Sequence, residues 1–183
     1  MQPRSSSGAT TRRTADLYTP RRFTLRLDED LSMLDETAVV DSFSLYSVAT
    51  GHCPGARSLK DSAENGGIHL ITSAVALAVA ASMRTCWDST CGRGHPVDTG
   101  SAVEEFCGGR VEVVGLTPGQ ALSAGRLYAG CEERRIGGAE VLAACHSVLL
   151  AEAGATTLVS TTRATYCYVG IPGPAAARRL LLV

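Results

Sequence analysis

Lysine is almost missing from this chain of 183 residues: Lys60 is the only one, and arginine supplies the rest of the positive charge. That bias reads as GC-rich coding rather than as a functional device. Charge of both signs is sparse, 19% of residues, and the net charge is −1. A nucleic-acid binder carries a basic excess, so this balance predicts no nucleic-acid partner. No long apolar run is present either. The longest, Ile68 to Met83, is broken by His69, Thr72, Ser73 and Ser82 and is short for a membrane span, which predicts a buried helix and no membrane contact. The first 22 residues, polar and basic, lack the apolar core of a signal segment. They are expected to be disordered, and the chain to be cytoplasmic. Its seven cysteines are an odd number, which fits reduced thiols rather than a disulfide framework. No period of 20–50 residues repeats, which excludes a solenoid.

What is present is enough apolar material, 45% of residues, for one core. The expected domain covers residues 23–171, and residues 172–183 are expected to be a tail. Residues 38–49 (AVVDSFSLYSVA) combine β-branched and aromatic residues with partial alternation and predict a strand. Residues 56–66 are polar and predict a loop. Asn65 and Gly66 are suited to open a helix over 67–83, apolar nearly all round and therefore covered on several sides. After a second loop at 84–100, residues 103–116, 121–133, 138–151 and 155–170 read as four strands separated by TPGQ, RRIGG and EAGA turns. One strand, one buried helix and a four-strand meander predict an α+β fold with an antiparallel sheet curled around the helix.

Two local motifs sharpen that expectation. Gly51-His52-Cys53-Pro54-Gly55 is similar to the G-H-F-P-G of the hotdog-fold superfamily, with Cys53 in place of Phe. Thr117-Pro118-Gly119-Gln120-Ala121-Leu122 is similar to its V-x-P-G-D-x-L turn. Over residues 38–170 the chain resembles the 3-hydroxyacyl-carrier-protein dehydratases of fatty-acid and polyketide synthesis. The resemblance implies a hotdog domain, one long central helix wrapped by five or six antiparallel strands. It also implies a homodimer, or a heterodimer with another hotdog subunit, and no cofactor. The substrate would be a 3-hydroxyacyl thioester on an acyl carrier protein or coenzyme A, and the reaction a lyase's removal of water. Two departures stand out: the 56–66 connection is longer than the family's, and Thr72 falls where the family carries its helical acid.

Dehydration needs a base for the C2 proton, an acid for the departing hydroxyl and donors for the thioester oxygen. His52 suits the base, because imidazole titrates near ~6.5. Gly66 and Gly67, at the expected helix N-terminus, suit the oxyanion, with Pro54 and Gly55 lining the substrate. The acid is open between Glu64, Asp61 and His69, with Thr72 orienting a water. Each of these also has an ordinary reading: a turn histidine, a core or interface histidine, a solvated loop carboxylate, a helical threonine bonded to the preceding turn. His146, in LAACHSVLL, reads as packing. Cys86, Cys91, His95 and Cys107 do not have the paired spacing of a structural zinc site, and Cys53 beside a Pro-Gly turn reads as filler rather than nucleophile. Arg12, Arg13, Arg21, Arg22, Arg134 and Arg135 could meet an acidic carrier or its phosphate. Two further readings stay open. One is a hotdog acyl thioesterase. The other is a non-catalytic partner subunit of a heterodimeric dehydratase, which the threonine at the acid position favours.

Overall fold

A computed structural model describes residue 34 and residues 36–84, 99–132, 138–168, 171 and 180–183. Its centre is a five-stranded sheet in the order β3-β2-β1-β4-β5 in which every pairing is parallel. The strands are β1 (Thr37–Val40), β2 (His69–Ser73), β3 (Val111–Val114), β4 (Thr157–Ser160) and β5 (Leu180–Leu182). All are short; the central β1 and β4 are largely apolar and buried beyond their first residue, as strands covered on both faces are, while the edge strands β3 and β5 are more exposed. Alternate residues feed opposite sides. Val39 and Leu158 join one core cluster; Ala38, Val40 and Val159 join the other. The register Val39↔Leu158 and Val40↔Val159 keeps each pair on one face.

Helices cover both faces. They are α1 (Ser42–Thr50), α2 (Pro54–Glu64), α3 (Ala74–Ser82), α4 (Thr99–Arg110), α5 (Pro118–Glu132), α6 (Ala139–Gly154) and α7 (Thr165–Tyr168). Leu45 and Val48 of α1, Leu59 of α2 and Phe106 of α4 pack in the second cluster. Val141, Ala144, Cys145 and Val148 of α6 pack in the first. Local chemistry sets the boundaries. Asp41 caps α1, accepting from the Ser44 N–H at 2.8 Å, and Ser73 caps α3, accepting from the Ala76 N–H at 2.8 Å. Gly51 ends α1 at φ 61°, in the left-handed region where glycine is favoured. Pro54 then opens α2, where its missing N–H removes nothing.

This architecture overturns the hotdog expectation. The sheet is parallel, so each strand pair is joined by a helical crossover rather than a hairpin. Of the segments 121–133 and 138–151, expected as strands, residues 121–132 lie in α5 and residues 139–151 in α6. The segment 138–151 is Ala-rich and apolar all round, the pattern of a buried helix rather than of a half-buried strand. Thr117-Pro118-Gly119-Gln120 is not a turn between strands but a helix start. The Thr117 hydroxyl accepts from the Gln120 N–H at 3.2 Å, and Gln120 Oε1 accepts from the Thr117 N–H at 3.0 Å, a capping box. The expected strand 38–49 is β1 followed by α1, and the expected loop 56–66 is largely α2. The expected helix 67–83 is β2 followed by α3. No described helix is long and apolar enough to cross a membrane. Residues 180–182, inside the stretch expected as a tail, pair with β4. The N-terminal segment 1–22, Cys86, Cys91, His95 and the arginines at 12, 13, 21, 22, 134 and 135 lie outside the described residues.

Candidate functional site

In an open parallel sheet, ligands gather beyond the carboxyl ends of the strands, at the point where the strand order reverses. Here that point lies between β1 and β4. The first residue beyond β1 is Asp41, and the last residue of β4 is Ser160. The two meet: the Ser160 hydroxyl donates to Asp41 Oδ2 at 2.5 Å. The Tyr168 hydroxyl, brought in by α7, donates to the same oxygen at 2.5 Å. Oδ1 accepts from the Ser44 N–H at 2.8 Å, and the Ser44 hydroxyl lies 2.9 Å from Oδ1 and 2.8 Å from the Val159 carbonyl, with one proton to give. Three donors, the Ser44 N–H and the Ser160 and Tyr168 hydroxyls, thus converge on the two oxygens, and the residue is 2% exposed.

Burial dominates the electrostatics and pushes the Asp41 carboxyl up from its ordinary range; the bonds from Ser160, Ser44 and Tyr168 pull the other way. The Tyr168 phenol is raised too, by its own burial and then by the Asp41 charge beside it. Burial thus shifts both groups toward their neutral forms. Above this sealed network the surface changes character. Tyr166 is 46% exposed, and its ring meets Phe43 edge-on with centroids 6.4 Å apart. Arg163 and Thr162, on the same short segment after β4, are exposed. Glu140, in the first turn of α6, is half-buried, and its charge reaches Tyr166 and Cys167, as the Asp41 charge does.

Of the residues chosen from the sequence, only Thr72 reaches this neighbourhood. Near the carboxyl end of β2, buried, it donates its hydroxyl to the Val40 carbonyl at 3.0 Å, one residue before Asp41. It sits on a strand, not early in a helix. His52 lies past the other end of α1, roughly 13 Å along the helix axis from Asp41, with its backbone N–H on the Ser47 carbonyl at 3.3 Å. Pro54 and Gly55 begin α2. Glu64, Gly66, Gly67 and His69 sit at the amino end of β2, the opposite edge of the parallel sheet. Glu64 is 4.0 Å from the Arg110 guanidinium and His69 is 2.9 Å from Glu112, both exposed pairs. Gly66 and Gly67 follow the C-terminus of α2, with the Gly67 N–H on the Ser62 carbonyl at 2.8 Å. A helix C-terminus presents carbonyls, so it does not offer the oxyanion donors expected there. Gly67 is required for space: a Cβ there would lie 2.9 Å from the Ser62 hydroxyl.

Asp41, Ser160 and Tyr168 did not emerge from the sequence. The signal for Asp41 was present, an acid closing the run Ala38-Val39-Val40 and followed by Ser42-Phe43-Ser44, which is how a buried strand hands over to a capped helix.

No family model matches this chain, and no curated protein matches it. Among solved structures it is similar to a chain of VapBC2 from Rickettsia felis bound to a DNA fragment from their promoter. The similarity covers 80% of this chain and 97% of that one, at 18% identity and a TM-score of 0.48. The parallel sheet corrects the expectations drawn from the sequence. The dehydratase reading, the thioesterase and partner-subunit alternatives, the acyl-carrier or coenzyme A substrate and the hotdog partner all required the antiparallel fold. The exclusion of nucleic acid rested on net charge alone.

Proposed function

We propose that this chain is a PIN-like α/β domain that binds a base-and-phosphate ligand, such as single-stranded nucleic acid, at the carboxyl edge of its sheet without hydrolysing it. One observation carries the reading. At the switch point the carboxylate is satisfied from within, while the segment that supplies Tyr168 exposes the aromatic ring of Tyr166. Tyr166, braced by Phe43, offers a face on which a base can stack. Arg163, exposed on the same segment, adds positive charge that favours a phosphate-bearing ligand. Asp41, Ser160 and Tyr168 position that segment by tying α7 to the ends of β1 and β4.

PIN domains include nucleases, and hydrolysis of a phosphodiester at such an edge calls for a divalent cation held by carboxylates. The donor set does not fit one. Both Asp41 oxygens already accept from protein donors, and burial disfavours the charged form that a cation would need. Among the described residues, no three His, Cys, Asp or Glu side chains are placed to hold a metal. A second, hydrolytic reading has one point in its favour: the charges of Asp41 and Glu140 act on the same two residues, so two carboxylates share this neighbourhood.

Titration of fluorescein-labelled single-stranded RNA and DNA by anisotropy, with and without Mn²⁺, separates the two. Binding independent of Mn²⁺, weakened roughly tenfold by Tyr166→Ala and leaving the oligonucleotide intact, is the expected result. Mn²⁺-dependent cleavage abolished by Asp41→Asn would install the hydrolytic reading. No binding of either strand would remove both.

A further inference from the structure

Three cysteines are packed in one core cluster, against the same face of the sheet. Cys131 near the end of α5 is 0% exposed, Cys145 in the middle of α6 is 0%, and Cys167 in α7 is 1%. Cys53 and Cys107 pack against the other cluster, across the sheet. Within the trio the thiols of Cys131 and Cys145 are joined by a hydrogen bond, and their helices α5 and α6 pack directly on each other. Two sulfurs in contact, on helices that pack side by side, are the starting arrangement for a disulfide.

We infer that Cys131 and Cys145 form a redox-controlled staple that fastens α5 to α6. The closed state protects the pair. Burial, and next the neighbouring Cys131, push the Cys145 thiol up to about 12, so little thiolate is present to react. The route to reaction lies in α5. Among its described residues only Ala124 and Cys131 are buried, whereas Ala121, Leu122, Gly125, Arg126 and Ala129 face solvent. A helix held by so few buried side chains opens locally at low free energy, and its opening brings Cys131 to solvent. A hydroperoxide then oxidises the Cys131 thiolate to a sulfenic acid, the O–O bond breaking and one water leaving when the oxidant is hydrogen peroxide. Before α5 recloses, Cys145, uncovered by the same opening, attacks the sulfenic sulfur as its thiolate, the second water leaves and the S–S bond forms. In sum, two thiols lose two protons and two electrons, and one peroxide becomes two waters. The closed loop spans residues 131–145, long enough for the bond to restrict the unfolded chain appreciably.

Tryptic mapping reads the bond directly, because arginines separate the three thiols. Cys131 falls in peptide 127–134, Cys145 in 136–163 and Cys167 in 164–178. The full chain is incubated with hydrogen peroxide, its remaining thiols are alkylated, and it is digested without reduction. The expected product is peptide 127–134 joined to 136–163, 2 Da lighter than the sum. It should be lost in Cys131→Ser and in Cys145→Ser and kept in Cys167→Ser. The oxidised protein should melt roughly 5–10 °C higher than the reduced protein, and the shift should reverse with dithiothreitol. Alkylation of both Cys131 and Cys145 after oxidation, or a cross-link from 136–163 to 164–178 instead, would overturn the inference.

Discussion

At the scale of single residues, two buried titratable groups pull stability in opposite directions with pH. Asp41 is held above its ordinary 3.8 in the folded chain, chiefly by burial. Its protonated form is therefore the one the fold prefers. Its contribution is whole below 3.8 and is lost as pH rises through the folded value. His146 is the reverse. It is 0% exposed, neither ring nitrogen has a hydrogen-bond partner among the described residues, and burial lowers it from its ordinary 6.5. The fold prefers the neutral ring, so this contribution is present above 6.5 and is lost as pH falls below it. Replacing an orphaned polar group by an apolar one of similar size is neutral or stabilising. His146→Leu should therefore hold or raise stability by up to about 1 kcal/mol at pH 7 and flatten the loss of stability between pH 7 and 5 in urea titrations. An unchanged slope would show that His146 is not the group responsible. Asp41→Ala acts differently, because it strands the Ser44, Ser160 and Tyr168 donors in the interior. It should lower unfolding free energy by about 2–4 kcal/mol at neutral pH, and circular dichroism against urea would report it.

Among the elements, the end of α6 carries a mismatch between residue and conformation. The chain leaves the helix at Ala155 with φ 50°, in the left-handed region, while Gly154 beside it stays in the helix. An L side chain there is disfavoured, and glycine is the residue helices commonly place at this position. Ala155→Gly should stabilise the fold by about 0.5–1 kcal/mol, visible as a higher urea midpoint with an unchanged slope; a lower midpoint would refute it. The same element shows what the sequence could and could not tell. The apolar, Ala-rich texture of 138–151 marked a buried segment, but periodicity alone does not separate a buried helix from a buried strand, and its length was the better guide. The helical part of 67–83 was legible for the same reason, since α3 occupies 74–82. Its first residues, His69-Leu70-Ile71-Thr72-Ser73, are a fully paired strand whose shortness hid it inside the apolar run. Gly51 to Gly55 looked like a catalytic loop, and it is a helix end followed by a proline-led helix start. Asp41 was hidden by its own role: an acid used as a cap reads as punctuation. Ser160 and Tyr168 join it from residues 119 and 127 positions away, contacts that only the crossover topology creates.

On the scale of the whole molecule, the sheet divides the interior into two apolar compartments, and the question is whether they melt together. Adjacent residues of β4 point into different ones: Leu158, 1% exposed, into the first, and Val159, 0% exposed, into the second. Several elements tie the two sides. Phe43 and Tyr46 of α1 enter the first cluster while Leu45, Val48 and Ala49 enter the second; in α3, Ala76 and Val79 enter the first and Ala80 the second. The Asp41 network adds a polar joint at the strand ends. Elements shared by both compartments cannot unfold on one side without losing burial on the other, so the chain should behave as one cooperative unit. Leu158→Ala should cost about 2–5 kcal/mol and Val159→Ala somewhat less. Both should shift the same single transition, seen alike by circular dichroism and by tyrosine fluorescence, with the urea slope unchanged. By contrast Leu122→Ala, on a side chain 65% exposed on α5, should move the midpoint by no more than about 0.5 kcal/mol. If Val159→Ala instead split the curve into two transitions, the compartment holding α2 and α4 would be a separate unit. The Asp41 edge would then be tied to the stability of the first compartment alone.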